Sequence, residues 1–227
     1  MSSDVDPKLA RFADYFLTHR MKGFAKDIAI CLTGRPREDD PNVNTHAYFP
    51  ALMTCCGTLE LLGSLHHGDA HHSDAKWVAR YCKDFMVRPE DYTKQTIILL
   101  LEVVRHGTAH LGIAKAVAQP RCGEYRDKRI TWTVWEGACQ PNVHLRREPD
   151  ILDSELRPWK CDFEYRLSVH LQGLFEDIRD SVLRPGRYRD TVMTDAKLLE
   201  KFEAAAKHIY PESTQETTGN PSTPVKG

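Results

Sequence analysis

Residues 96–117, TIILLLEVVRHGTAHLGIAKAV, constrain what this chain can fold into more than any other stretch. They form the most apolar segment of the sequence, interrupted only by Glu102, Arg105, His106, Thr108 and His110, all inside nine residues. A solvated helix spreads its charges along one face, and a core helix carries almost none. Ionisable groups embedded in an otherwise buried helix need partners, because burying an unpaired charge is costly. Ile97 to Leu101, with Val103 and Val104, therefore read as the anchor in a core, and residues 102–110 as the carrier of any chemistry.

The bulk numbers leave function to such local features. A chain of 227 residues holds one sizeable domain or two small ones, and 41% hydrophobic with 28% charged residues is ordinary for a soluble protein. The formal charge of −1, from 31 basic and 32 acidic residues, gives no global electrostatic case for nucleic acid, so such a case rests on patches. Seven scattered cysteines without a repeated CxxC spacing predict a reduced, cytoplasmic protein. The acidic, polar N-terminal stretch is unlike a secretory signal, and the apolar runs are too short to span a membrane.

Taken in order, Asp6 and Pro7 read as the start of a helix whose apolar positions, from Leu9 to Cys31, recur at helical spacing up to Gly34. Residues 49–65 predict a second helix with Glu60 as its only charge, and residues 75–86 a shorter third. The central helix is expected over 92–118. Residues 129–135 alternate as a strand does, and Val143 to Leu145 are expected to pair back as a hairpin. Residues 150–183 read as helical again, interrupted at Pro158 and with the main part over 161–183; Trp159 and Phe163 read as core. Residues 184–190 read as a turn, and Thr194 as the cap of a last helix to about residue 209. The predicted fold is mainly α: a four- to five-helix up-and-down bundle over residues 1–210, with a small β-hairpin near 129–145 between the later helices. Residues 211–227 have almost nothing to bury and read as a disordered tail.

Within the central helix, Arg105 and His110 are five positions apart, about 140° around an ideal α-helix. Gly107 between them permits local distortion. His106 and His110 sit at i and i+4 on one stripe, with Glu102 one turn earlier. Two chemistries suit the set. An arginine can grip a phosphate while a histidine moves a proton; alternatively Glu102, His106 and His110 can ligate a metal.

The run VRHGTAH over residues 104–110 resembles the Arg-x(4–6)-His signature of the HEPN superfamily (higher eukaryotes and prokaryotes nucleotide-binding). The resemblance extends over the helical region from about residue 8 to 183, but its motif is confined to 105–110. It implies an RNA or nucleotide ligand, a homodimer whose two motifs face one groove, and metal-independent endoribonuclease cleavage in catalytic members, with no cofactor. Arg105 would then stabilise the phosphorane and His110 act as general acid or base, with His106 orienting the substrate. Glu60, Glu102 and Thr108 are the expected substrate-binding residues. This chain departs from the commoner Arg-Asn form of the signature, and its late hairpin is not part of the minimal bundle.

Plainer readings stand beside these. Arg105 suits an ion pair with Glu102 or Glu60 that fixes the fold, the histidines suit hydrogen-bonded core positions, and the whole set suits a non-catalytic interaction module. The histidine tract His66, His67, His71 and His72 has ligand chemistry, but a glycine between the pairs gives no rigid geometry. Arg121, Arg126, Lys128 and Arg129, with Arg179, Arg184, Arg187 and Arg189 and the rings of Trp132, Trp135 and Tyr188, read either as a surface for single-stranded RNA or as a solvated face offset by nearby carboxylates.

Overall fold

In the computed structural model, which describes residues 5–36, 44–45, 47–106, 116–152 and 159–211, Asp6 opens the first helix as its sequence predicts. Its carboxylate accepts from the backbone N–H of Lys8 at 2.8 Å and of Leu9 at 3.4 Å, and Pro7 takes the first helical position. This helix, α1 (Pro7–Thr33), stops at Gly34 and buries Ala13, Phe16, Leu17, Met21, Phe24 and Ile28 along one stripe. A two-residue ribbon follows, β1 (Arg35–Pro36) against β2 (Asn44–Thr45). Then come α2 (Tyr48–His67), α3 (Ala75–Phe85) and α4 (Lys94–Leu99), the last continued by a π-helical segment, Leu100–His106. The strands β3 (Val117–Ala118), β4 (Ile130–Trp135), β5 (Val143–Leu152) and β6 (Cys161–His170) precede α5 (Leu171–Leu183), α6 (Tyr188–Thr194) and α7 (Ala196–Ile209).

The bundle expectation is overturned. The β strands form a four-stranded mixed sheet in the order β3-β4-β6-β5, and the fold is α/β, not an up-and-down bundle with a hairpin appended. The expected hairpin of 129–145 does not exist as a pair, because β6 lies between β4 and β5, parallel to the first and antiparallel to the second. β6 itself was expected to be helix. Its inward residues Phe163, Leu167 and Val169 are buried at alternate positions, and that period of two belongs to a strand. Helical geometry begins only at Leu171. Trp159, expected in the core, is 64% exposed, whereas Phe163 is buried as expected. Residues 188–194, expected within or just after a turn, form α6, and Asp195 rather than Thr194 caps the last helix, accepting from Lys197 and Leu198. The expected continuous helix over 92–118 becomes α4 with its π-helical continuation and, at its far end, β3; residues 107–115 lie outside the described residues, as does the predicted tail from 212 onward.

The core centres on α2, which buries Leu52, Cys55, Cys56, Leu59, Leu62 and Leu65 and packs against α1, α3, α5 and α7. A helix apolar around most of its circumference belongs inside a fold, which is why Glu60 is its only charge. One face of the sheet closes over this helical layer through Ile130, Val143, Leu167 and Val169, which join the same buried cluster. The sheet is fixed to the helices by polar groups as well. Asn142, fully buried, donates from Nδ2 to Asp177 Oδ2 at 2.8 Å, and the Tyr92 hydroxyl donates to the same oxygen at 2.5 Å. The backbone carbonyl of Asn142 accepts from His170 N at 2.7 Å. Burial and the Asp177 carboxylate push the Tyr92 hydroxyl far above its ordinary pKa, so it serves only as a donor. Gly173 permits this junction, since a Cβ there would lie 1.8 Å from Asn142 Oδ1.

Tyr92→Phe removes one donor from a part-buried carboxylate and is expected to lower the unfolding free energy by about 1.5–3 kcal/mol. Gly173→Ala should be more damaging, because backbone or Asn142 must shift. Urea unfolding of both variants checks this, and a Gly173→Ala protein as stable as wild type would sink the junction as described.

Candidate functional site

The segment expected to carry chemistry starts from a well-defined cap. Thr93 Oγ1 accepts from Thr96 N at 3.2 Å, and Ile97, Ile98, Leu99, Leu100, Leu101 and Val103 are all buried, so the predicted anchor is in the core except for Val104, whose side chain lies outside the described part. At Leu100 the backbone leaves the α-helical ladder for i→i+5 bonding, which it keeps to His106. Single π-helical turns are rare and recur at functional sites, because the wider turn re-aims side chains and leaves an extra residue to be accommodated. The sequence carries no propensity signal for such a turn; the run LLLEVVR is good α-helical sequence in which only the dense polar cluster marks an irregularity.

Of the six predicted site residues, two have described side chains. Glu102 is half-buried, and its two oxygens hold the turn that follows β3: Oε2 accepts from Arg121 N at 2.6 Å and Oε1 from the Cys122 thiol at 2.9 Å. That hydrogen bond, with burial and the carboxylate charge, raises the Cys122 thiol above its usual pKa and keeps it a donor. Gln95 Oε1, seven residues earlier, accepts from Glu124 N at 3.0 Å. The turn approaches α4 closely at Gly123, where φ is +81° and a Cβ would lie 2.6 Å from Gln95 Oε1; only glycine combines that backbone with that approach. Glu60 is 6% exposed in α2 and accepts from Ser73 Oγ at 2.5 Å, which ties the segment after the histidine tract to the core. Arg105 and His106 complete the π-helical segment through their backbone, and their side chains lie outside the described part. Thr108 and His110 also lie outside the described residues.

The histidine tract does not gather into one centre. His66 Nε2 is 3.4 Å from Asp84, His67 stacks on Trp77 with centroids 4.0 Å apart, His71 packs on His208 at 3.8 Å, and His72 lies 3.8 Å from Asp69. Among the described residues no group of three histidine, cysteine or acidic side chains is placed to hold a metal ion. His66 is instead part of an aromatic wall with Tyr81, Phe85 and Tyr188. Burial there pushes its pKa below the ordinary value, against the pull of Asp84.

The expected cationic surface is largely neutralised. Arg129 pairs with Asp162, Lys128 with Glu164, Arg126 with Asp127, Arg179 with Asp180 and Arg189 with Asp190. Of its rings, Tyr188 is fully buried and Trp132 turns inward against Phe49, while Trp135 is 55% exposed. Trp135 lies beside His170, and His170 beside His144; this row is not legible where residues 161–170 are expected to be helical, because the row depends on strand pairing. Among the described residues no helix is long and apolar enough to cross a membrane. Comparison with protein families, with curated proteins and with solved structures finds no match for this chain.

Because the folded state holds His66 below the unfolded pKa of about 6.5, the unfolded chain binds more protons between the two values. The unfolding free energy is therefore expected to fall as pH drops from about 7 through the histidine range, and His66→Phe, which suits the surrounding rings, should flatten that fall. Denaturant titrations at a series of pH values decide this; identical slopes in both proteins would contradict it.

Proposed function

We propose that this protein is a HEPN-like RNA-binding protein that cleaves RNA without a metal, with Arg105 and His110 as the reacting pair. The observation that carries this reading is that the arginine–histidine sequence begins inside the π-helical segment, which ends at His106; residues 107–110 lie outside the described residues. An α-helix separates residues five apart by about 140°. The wider i→i+5 turn narrows that separation, and the backbone of Arg105 belongs to such a ladder, Leu100–His106. Five is the separation of Arg105 and His110.

In the reaction, the ribose 2′-hydroxyl attacks the adjacent phosphorus while the bond to the 5′-oxygen breaks. The products are a 2′,3′-cyclic phosphate and a 5′-hydroxyl. Arg105 offsets the charge that builds on the non-bridging oxygens, a planar bidentate donor against a phosphate. His110 moves the proton, either from the 2′-hydroxyl or to the leaving oxygen, for which a pKa near neutrality is suited. His106 orients the substrate. A homodimer, with two such motifs facing one groove, is part of the same proposal.

A second reading is a non-catalytic interaction module in which these polar residues serve the fold. The hydrogen bonds of Glu102 to Arg121 and Cys122, and of Glu60 to Ser73, favour it, because both carboxylates are engaged in holding turns.

Labelled RNA incubated with excess chelator separates the two. Under the first reading wild type leaves cyclic-phosphate ends, and Arg105→Ala and His110→Ala each slow cleavage about 100-fold or more, the usual weight of a positioned proton donor or charge stabiliser. Intact RNA with wild type, together with a loss of about 3–5 kcal/mol in stability on Arg105→Ala, would instead establish the structural role.

A further inference from the structure

The sheet has a second face, opposite the one closed over α2. Strand register defines it. In β4, Ile130, Trp132 and Val134 point toward the helices, so Thr131, Thr133 and Trp135 point away. Their partners in β6 are Arg166, Ser168 and His170, and β5 adds His144 opposite Ser168 and Arg146 opposite Arg166. This face is therefore a patch of rings, hydroxyls and arginines on regular strands, with Trp135 half-exposed at one end.

The rings are ordered. Trp135 and His170 pair directly across β4 and β6, with centroids 6.4 Å apart and planes 17° from parallel. His144 lies diagonally beyond His170, at 5.7 Å and 19°. Three near-parallel rings thus cross three neighbouring strands in one row. Thr133 and Ser168 bond each other through their hydroxyls at 3.4 Å next to the row, with Ser168 itself buried and Thr133 partly exposed. The carboxylates on this face already have cations: Glu148 holds Arg166 at 3.0 Å and Glu164 holds Lys128 at 3.2 Å. Arg146 is exposed and makes no ion pair among the described residues, which leaves a positive charge one strand position beyond the hydroxyls.

We propose that this outer face is a stacking platform for single-stranded RNA, with Trp135, His170 and His144 as the rings that receive bases and Arg146 as a phosphate contact. Every base has a π-face, so a row of rings on a rigid sheet binds successive bases without needing a particular sequence. A duplex offers no such access, because its bases are stacked on one another. A peptide partner would call for apolar pockets or a free strand edge. This face instead carries an ordered row of partly exposed rings, and its charge balance after internal pairing is positive. The proposal deepens the RNA-binding reading and rests on it only for the choice of ligand; it uses none of the residues proposed for cleavage, so the two can fail separately.

The test uses the full chain and a short fluorescein-labelled 2′-O-methyl oligoribonucleotide, whose blocked 2′-oxygen prevents cleavage, read by fluorescence anisotropy. Trp135→Ala should weaken binding about 5- to 100-fold, the range for losing one base–aromatic stack, with Trp135→Phe close to wild type. Trp159→Ala, which removes an equally exposed ring outside the row, should bind as wild type does. Arg146→Gln should reduce the slope of log affinity against log salt by about 0.7, one phosphate contact on a single strand. Failure of wild type to bind, equal binding by Trp135→Ala, or equal binding of duplex RNA overturns the proposal. So does sedimentation showing a dimer that Trp135→Ala dissociates and that excludes RNA, since the face would then belong to a second copy. If His110→Ala abolishes cleavage while Trp135→Ala binds normally, this platform fails and the nuclease reading stands. If no variant cleaves yet binding depends on Trp135, the platform stands and the nuclease reading fails.

Discussion

The Asp177 carboxylate, held by Tyr92 and Asn142, is the interaction on which the rest of this structure depends. It joins three places that the chain reaches far apart in sequence: Tyr92, two residues before α4, Asn142, the residue just before β5, and the middle of α5. An isolated carboxylate in that position would be strongly destabilising, and two donors on one oxygen turn it into a fixed joint. Apolar packing between the sheet and the helices is non-directional and would tolerate small slides. The joint does not, because Asn142 also receives His170 N through its carbonyl and sits against a glycine that leaves no room for a side chain. Sheet and helical layer are thereby locked in one register.

Two consequences follow for the surfaces that matter. The first is that the sheet has a determined inner face, set by Val143 immediately after Asn142 and by Leu167 and Val169 on the neighbouring strand. Since side chains alternate, fixing the inner set also fixes Trp135, His170 and His144 on the outer one. The second is that α4 emerges from a pinned start. Tyr92 is tied to Asp177, and ten residues later Glu102 is tied to the 121–122 turn, with Gln95 bonded to the same turn between them.

Much of the helical part was legible. α1, α2, α3 and the last helix have apolar positions at helical spacing, and α1 has its cap at Asp6, so local pattern and tertiary burial agree. β6 shows where local pattern was misread. Its alternation of Asp162, Glu164, Arg166 and Ser168 with Phe163, Tyr165, Leu167 and Val169 is clean, but it runs without a break into a true helix at Leu171, with no proline or glycine to mark the change. Strand order was out of reach altogether: that β6 would insert between β4 and β5 is decided by long-range packing and by the Asn142 joint. Likewise Glu102 read as a site residue from its helical stripe, while the bonds that occupy it come from a turn nearly twenty residues away.

The π-helical turn is best understood from these tethers. A helix free at one end can shed an extra residue by unwinding toward that end, so a wide turn persists only where both sides are held. Here the N-terminal side is held by Tyr92 and by a run of buried leucine and isoleucine, and Glu102 inside the turn is held by two hydrogen bonds to Arg121 and Cys122. The engagement of Glu102 therefore does not compete with a role for Arg105; it is one of the forces that keeps the backbone at Arg105 out of α-helical register. A carboxylate that serves the fold is thus compatible with the proposed chemical role of an arginine on the same turn, since its tethering is what sets the backbone geometry there.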